Sequence, residues 1–309
     1  MSRPKGYWRN LTLFALFTLS LALAGAGLWL AYTLAMTLVH PGRTQATRTP
    51  ADLGITAWEG VRFPSADGLE LSGWFIPSDP QSGDGATLIF VHGLANNREG
   101  LLDEAALLAS HGYGVLLFDL RNHGQSQGTV TTLGYAEVDD VRGAVSYLLN
   151  RPEVNPDRIG LFGNSLGAAI TLRAAARIPQ VRVVIAQSAF TSLEDNIASG
   201  VRALTGLPPV PFAPLVVWFG ELETGVSIHE VRPIDDIPLI APRAVLLIHG
   251  KQDSTILPRN SLQLYQAAHE PKRLYLSANA GHGDLLNADP EAYEREVVTF
   301  LETYLGGEP

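Results

Sequence analysis

The chain of 309 residues contains no cysteine. That excludes a thiol nucleophile, a disulfide framework and thiolate metal sites, and it leaves either side of a membrane open. Positive charge is also short: 22 Lys+Arg stand against 31 Asp+Glu, a formal net charge of −9. No basic stripe interleaved with aromatics occurs, so nucleic acid is not an expected partner. Charge of both signs together reaches only 17%, while 46% of residues are hydrophobic, which excludes a disordered chain and allows one full-sized globular domain with something appended. No internal repeat stands out, and no cluster has metal-ligand spacing.

Charge is wholly absent from residues 10–39, a run longer than the roughly 20 residues that cross a bilayer. Arg3, Lys5 and Arg9 precede it; Trp8 at one end and Trp29 and Tyr32 toward the other suit the membrane interface. The expectation is a cytoplasmic tip and transmembrane anchor over residues 1–40, with everything after His40 on the extracytoplasmic side. A cleaved signal peptide, leaving a secreted protein, is the competing reading, because Ala22-Leu23-Ala24 has the form found near a signal peptidase site. Residues 41–57, richer in Thr, Arg, Gln, Gly and Pro, read as a linker.

Residues 58–309 read as one α/β domain. Alternating segments at 58–63 and 69–76, separated by Ser65-Ala66-Asp67-Gly68, predict a hairpin of half-exposed strands, and residues 78–85 form a turn cluster. Apolar strands are then expected at 87–91, 114–118, 159–162, 181–186, 244–248 and 273–276. Helical stretches follow at 98–110, 135–149, after residue 165, and at 290–305. Such alternation implies a mostly parallel sheet with helices on both faces. Residues 191–242 break the pattern with a Pro-rich, apolar insertion, expected as a small cap over the sheet's carboxyl edge.

Within that frame the strand at 159–162 runs into Gly163-Asn164-Ser165-Leu166-Gly167 and then a helix. A serine at the apex of so sharp a turn needs small residues two places away on either side, and glycines stand at both. Ser165 is the candidate nucleophile, and the Leu166 N–H is aimed where an oxyanion would form. A serine needs a histidine to take its proton and a carboxylate to orient that histidine. His282, in the loop after the last strand, and Asp253, in the loop after the preceding strand, lie at the edge where ligand sites gather in open parallel sheets. Asp284 is set aside as a cap of the following helix. His92 and His249, each at a strand end before glycine, are expected to fold back and bond backbone. His123 stays open, because its loop also borders the site. The Leu94 N–H, after Gly93, is the second candidate oxyanion donor.

Together, His92-Gly93, Asp119-x-Arg121-x-x-Gly124-x-Ser126, Gly163-x-Ser165-x-Gly167, His249-Gly250-x-x-Asp253 and Gly281-His282 cover nearly all of the chain after residue 57. In this set and order the chain resembles the α/β-hydrolase superfamily, in its serine-aminopeptidase and prolyl-oligopeptidase-like branch, here preceded by one N-terminal transmembrane helix. The resemblance implies a Ser165–Asp253–His282 hydrolase of esters, thioesters or amides that needs no cofactor. Asn122 where many relatives carry glycine, Ala189 where proline is common and Asn164 beside the nucleophile are departures that leave the triad untouched. The apolar cap and the anchor favour a small or lipid-like acyl ester as substrate. A serine peptidase or amidase on the same residues is the alternative, and a catalytically inactive binding protein of the same fold is the alternative of another class. Oligomeric state is not written in the sequence.

Overall fold

The computed structural model describes residues 5–79 and 85–306. Arg3, the side chain of Lys5 and residues 80–84 of the expected turn lie outside the described residues. Eight strands form one sheet in the order β1-β2-β4-β3-β5-β6-β7-β8. They are β1 (Glu59–Pro64), β2 (Glu70–Ile76), β3 (Thr87–Val91), β4 (Gly114–Phe118), β5 (Ile159–Asn164), β6 (Val181–Gln187), β7 (Ala244–Gly250) and β8 (Lys272–Ser277). β1 pairs antiparallel with β2, and β2 antiparallel with β4; the six remaining strands run parallel. The hairpin and all six expected strands after it are present.

The apolar runs make strands rather than helices because the sheet is covered on both faces, so both sides of each strand find a core. In β3, Leu88 and Phe90 join the cluster under α2 (Leu102–Ser110) and the C-terminal helix α10 (Pro290–Tyr304). Ile89 and Val91, alternating with them, join the cluster under α3 (Glu137–Leu149) and α4 (Leu166–Arg177). Phe90 stacks on Phe162 of β5 at 4.6 Å between ring centroids. Each such ring adds about 2 kcal/mol of burial to the centre of the sheet.

After β3 the chain goes outward to β4 and then returns to place β5 on the other side of β3. That reversal opens a crevice at the carboxyl ends of β3 and β5, where a ligand site is expected. Over it lies the insertion, built from α5 (Leu193–Thr205) and α6 (Pro209–Thr224), followed by the short α7 (Pro233–Asp236). The Pro-rich stretch starts α6, with Val210 out of helical geometry at its first turn. Two helices have no counterpart in the sequence reading: α8 (Arg259–Ala267) after β7 and the four-residue α9 (Leu285–Ala288) before α10.

The N-terminal segment is a single helix, α1 (Lys5–Val39), of which residues 7–39 are long and apolar enough to cross a membrane. Its last turns do not stand free. Ala31, Ala35 and Val39, spaced by four, are buried and pack with α6. The segment expected as a linker is fastened to the domain as well. Arg43 bonds Ser126 O and Gly128 O, Asn97 Nδ2 donates to Thr44 O, and Arg48 pairs with Glu99 and Asp103 at 3.1 Å.

Candidate active site

The turn after β5 holds Ser165 at φ 56°, ψ −118°, a conformation that costs a non-glycine residue about 1–3 kcal/mol. The surroundings enforce it. Ser165 N donates to Gln187 O at 2.9 Å, and its carbonyl accepts from Ala168 and Ala169 at the start of α4. A side chain at Gly163 would meet Gly167 O at 2.4 Å, and one at Gly167 would meet Val91 O at 2.0 Å. Both contacts are with backbone that cannot yield, so the two glycines are required by crowding and not by their own dihedral angles.

His282 and Asp253 arrive from the loops after β8 and β7. His282 Nε2 stands 3.0 Å from Ser165 Oγ, and its Nδ1 2.7 Å from Asp253 Oδ2. In the tautomer this implies, Nδ1–H donates to the carboxylate and Nε2 is free to accept the serine proton. Asp253 is 2% exposed, and its other oxygen accepts the N–H groups of Thr255 and Ile256, each at 2.9 Å. Burial alone would raise its pKa, but the hydrogen bonds from His249 and His282 outweigh burial and hold the carboxyl well below the usual carboxylate range. It is a fixed anion beside a histidine. Asp284 does not cap the helix that follows; its Oδ1 accepts from Gly281 N at 2.6 Å and so holds the His282 loop.

His249 folds back as expected, and it also reaches further. Its Nε2 donates to Ile256 O at 2.7 Å and lies 3.2 Å from Asp253 Oδ2, while Nδ1 pairs with Ser261 Oγ at 2.6 Å. Sequence reasoning missed this contact, although the spacing of four residues across one tight loop was a usable signal.

The loop that carries Leu94 is held by two neutral histidines. His92 Nδ1 donates to Gly93 O at 2.7 Å and its Nε2 accepts from Leu120 N at 3.0 Å; burial pushes its pKa down to about 4. His123 Nδ1 donates to Arg121 O at 2.9 Å, and its Nε2 accepts from Ala95 N at 3.2 Å. Burial lowers its pKa too. His123 is thus tied to the residue next to Leu94, which answers the question the sequence left open. Gly93 lies against the nucleophile, where an added Cβ would sit 3.3 Å from Ser165 Cβ. Leu94 and Leu166 border the same cavity as Ser165 and His282. Among the described residues neither Leu94 N–H nor Leu166 N–H has a hydrogen-bond acceptor.

That cavity measures about 510 Å³. Its floor is the sheet's carboxyl edge; its roof comes from Leu193, Ile197, Val201 and Leu204 of α5, Val216 of α6, and Leu34, Thr37 and Leu38 of α1. Among the described residues, His282 is the one ionisable residue that lines it. Among the described residues no group of three or more His, Asp or Glu could hold a metal ion. An acyl carbon beside Ser165 would have a base within reach and two N–H groups nearby for the oxygen, in a low-dielectric space.

A family model described as X-Pro dipeptidyl-peptidase (S15 family) matches residues 32–207. The uncharacterized protein YfhR of Escherichia coli (strain K12) is 34% identical over 248 residues, which cover 79% of this chain and 80% of that protein. Among solved structures, an esterase of Pyrococcus furiosus, Pf2001, superposes with a TM-score of 0.73 at 27% identity, over 87% of this chain and 99% of the esterase. An acylaminoacyl peptidase of Pyrococcus horikoshii has a TM-score of 0.66 at 20% identity, over 84% of this chain and 44% of the peptidase. The second likeness is one of fold alone.

Proposed function

Because the chain belongs to the S15 family, within the α/β-hydrolases that act as serine hydrolases, we propose that it is a membrane-anchored carboxylic ester hydrolase acting on small or lipid-like acyl esters. Ser165 attacks the acyl carbon while His282 takes its proton, and the N–H groups of Leu94 and Leu166 hold the oxyanion. His282 then gives the proton to the leaving alcohol, and the acyl group stays on Ser165. Water, deprotonated by His282, releases the acid and restores the serine. Asp253 remains ionised throughout and keeps His282 in the accepting tautomer.

The observation that carries the ester reading is the lining of the cavity. A dipeptidyl-peptidase must hold a free α-ammonium group, and a buried ammonium requires a carboxylate partner. Among the described residues, those lining this cavity include no Asp, Glu, Lys or Arg. An uncharged acyl chain needs no such partner, and the similar structure from Pyrococcus furiosus is that of an esterase. The peptidase reading has the family description behind it. An inactive binding protein is disfavoured by the hydrogen-bonded alignment of Ser165, His282 and Asp253.

The apolar reach of α1, with Arg9 before it, supports an anchor whose hydrolase domain lies on the extracytoplasmic side. The substrate class is tested by competing a nitrophenyl acyl ester against an aminoacyl-prolyl amide on the full chain. Hydrolysis of the ester without release from the amide is the expected result. The reverse preference would make the protein a peptidase.

A further inference from the structure

We infer that the last two turns of α1 form a selective wall of the acyl pocket, so that the helix proposed to enter the membrane also chooses the substrate by acyl-chain length. The inference rests on the esterase reading above and goes beyond it by naming long-chain acyl esters drawn from the bilayer as the preferred substrate.

Four observations carry it. First, Leu34 and Leu38, one turn apart on α1, line the cavity that holds Ser165 and His282. Second, their position is fixed by packing. Gly27, Ala31, Ala35 and Val39 form a ridge of mostly small residues that lets α1 lie close to α6; an added Cβ at Gly27 would sit 3.4 Å from Phe212, and Tyr32 meets Phe219 edge-on at 5.4 Å. Third, the end of the helix is bonded to the domain on two sides. Val39 O accepts from Thr131 N at 2.8 Å and from Asn122 Nδ2 at 3.3 Å, in the segment after β4, and His40 Nε2 bonds Glu223 of α6 at 2.8 Å. Fourth, the family match, from residue 32, takes in the wall residues Leu34 and Leu38.

Upstream of the dock, residues 7–26 of α1 are exposed. At 1.5 Å per residue that stretch is about 30 Å long, the thickness of a hydrocarbon core. The pocket wall and the membrane segment are thus one continuous helix. Leu204, on the cavity rim and 77% exposed, extends the apolar path outward. An acyl chain can pass from lipid to Ser165 along apolar side chains without crossing water, which removes the main cost of extracting it.

The test uses the full chain in lipid nanodiscs with nitrophenyl acetate and nitrophenyl dodecanoate. Leu34→Trp and Leu38→Trp are each expected to lower the ratio of kcat/KM on the dodecanoate to that on the acetate about tenfold or more. Leu23→Trp, on the exposed part of the same helix, should change neither. Equal loss on both esters, or loss on neither, would overturn the inference. Since the chain has no cysteine, Leu38→Cys gives a second measurement that asks little of the fold. Prior reaction with a hexadecyl fluorophosphonate should slow maleimide labelling of that thiol, and an ethyl fluorophosphonate should not; equal rates would overturn the wall. Loss of acetate hydrolysis and of fluorophosphonate reaction in the unsubstituted chain would instead defeat the esterase reading itself, and this inference with it.

Discussion

The floor and the roof of the cavity are built by opposite means. On the floor, Ser165, His282, Asp253 and the Leu94 loop are each held by directed bonds from buried groups: Gln187 O to the nucleophile's amide, His249 to Asp253, His92 and His123 to the loop. Around the roof, α1, α5 and α6 meet mainly through small side chains and aromatic edges, with polar ties gathered at the end of α1, where Val39 O and His40 are bonded. Directed bonds fix positions to a few tenths of an ångström, as acyl transfer requires. Apolar contacts fix volume and leave room for adjustment, as a chain-binding surface requires. The lesson is a division of labour in which a floor change should touch every substrate and a roof change only some.

The largest effect expected is that of Ser165→Ala, which removes the nucleophile and should lower ester turnover about a millionfold, read from kcat with an acetate ester. Asp253→Asn comes next. It leaves the shape of the floor but not the His282 tautomer, and about a ten-thousandfold loss in kcat is expected on short and long esters alike. A loss confined to long esters would mean that Asp253 acts on the pocket and not on the His282 tautomer.

A smaller effect sharpens it through stability. The folded protein keeps His92 neutral down to about pH 4, against an ordinary value of 6.5. The unfolded chain therefore binds a proton that the folded chain refuses between those values. The contribution is complete above pH 6.5 and is lost progressively as pH falls to about 4, a change of about 3 kcal/mol. Urea unfolding at pH 7 and pH 4.5 checks this: the stability gap between wild type and His92→Asn should narrow at the lower pH. The smallest effect belongs to the roof. Tyr32→Ala removes the edge contact with Phe219 and should cost about 1 kcal/mol, a fall of about 2–4 °C in thermal midpoint, with acetate turnover within about twofold.

The same division decides how much of the molecule was legible in its sequence. The floor is locally coded. Gly163 and Gly167 bracket Ser165 because backbone crowds both positions, and His282 and Asp253 stand in loops at strand ends, so pattern and position sufficed to nominate them. The architecture of six parallel strands was legible for a similar reason, since the five inner ones, buried on both faces, read as short apolar runs. The docking of α1 was not. Every face of that helix is apolar, so no periodicity marks the ridge at Ala31, Ala35 and Val39; only the finished cap reveals it. Residues 41–57 misled in a related way, because Arg43 and Arg48 look like solvated charges until Ser126, Glu99 and Asp103 come to meet them. Helix α8 escaped notice because its buried side is little more than Ser261 and Leu264. Asn122 was visible as a departure, and its purpose is tertiary: it sits at φ 61° and turns its carboxamide toward Val39 O.

The central claim is that Ser165 is an activated nucleophile with His282 as its base. Reacting the full chain with a fluorophosphonate probe and mapping the adduct tests it most directly. A single adduct on Ser165 is expected, absent in Ser165→Ala and strongly slowed in His282→Ala. A folded wild type that takes no label, or an adduct on any other serine, would contradict it.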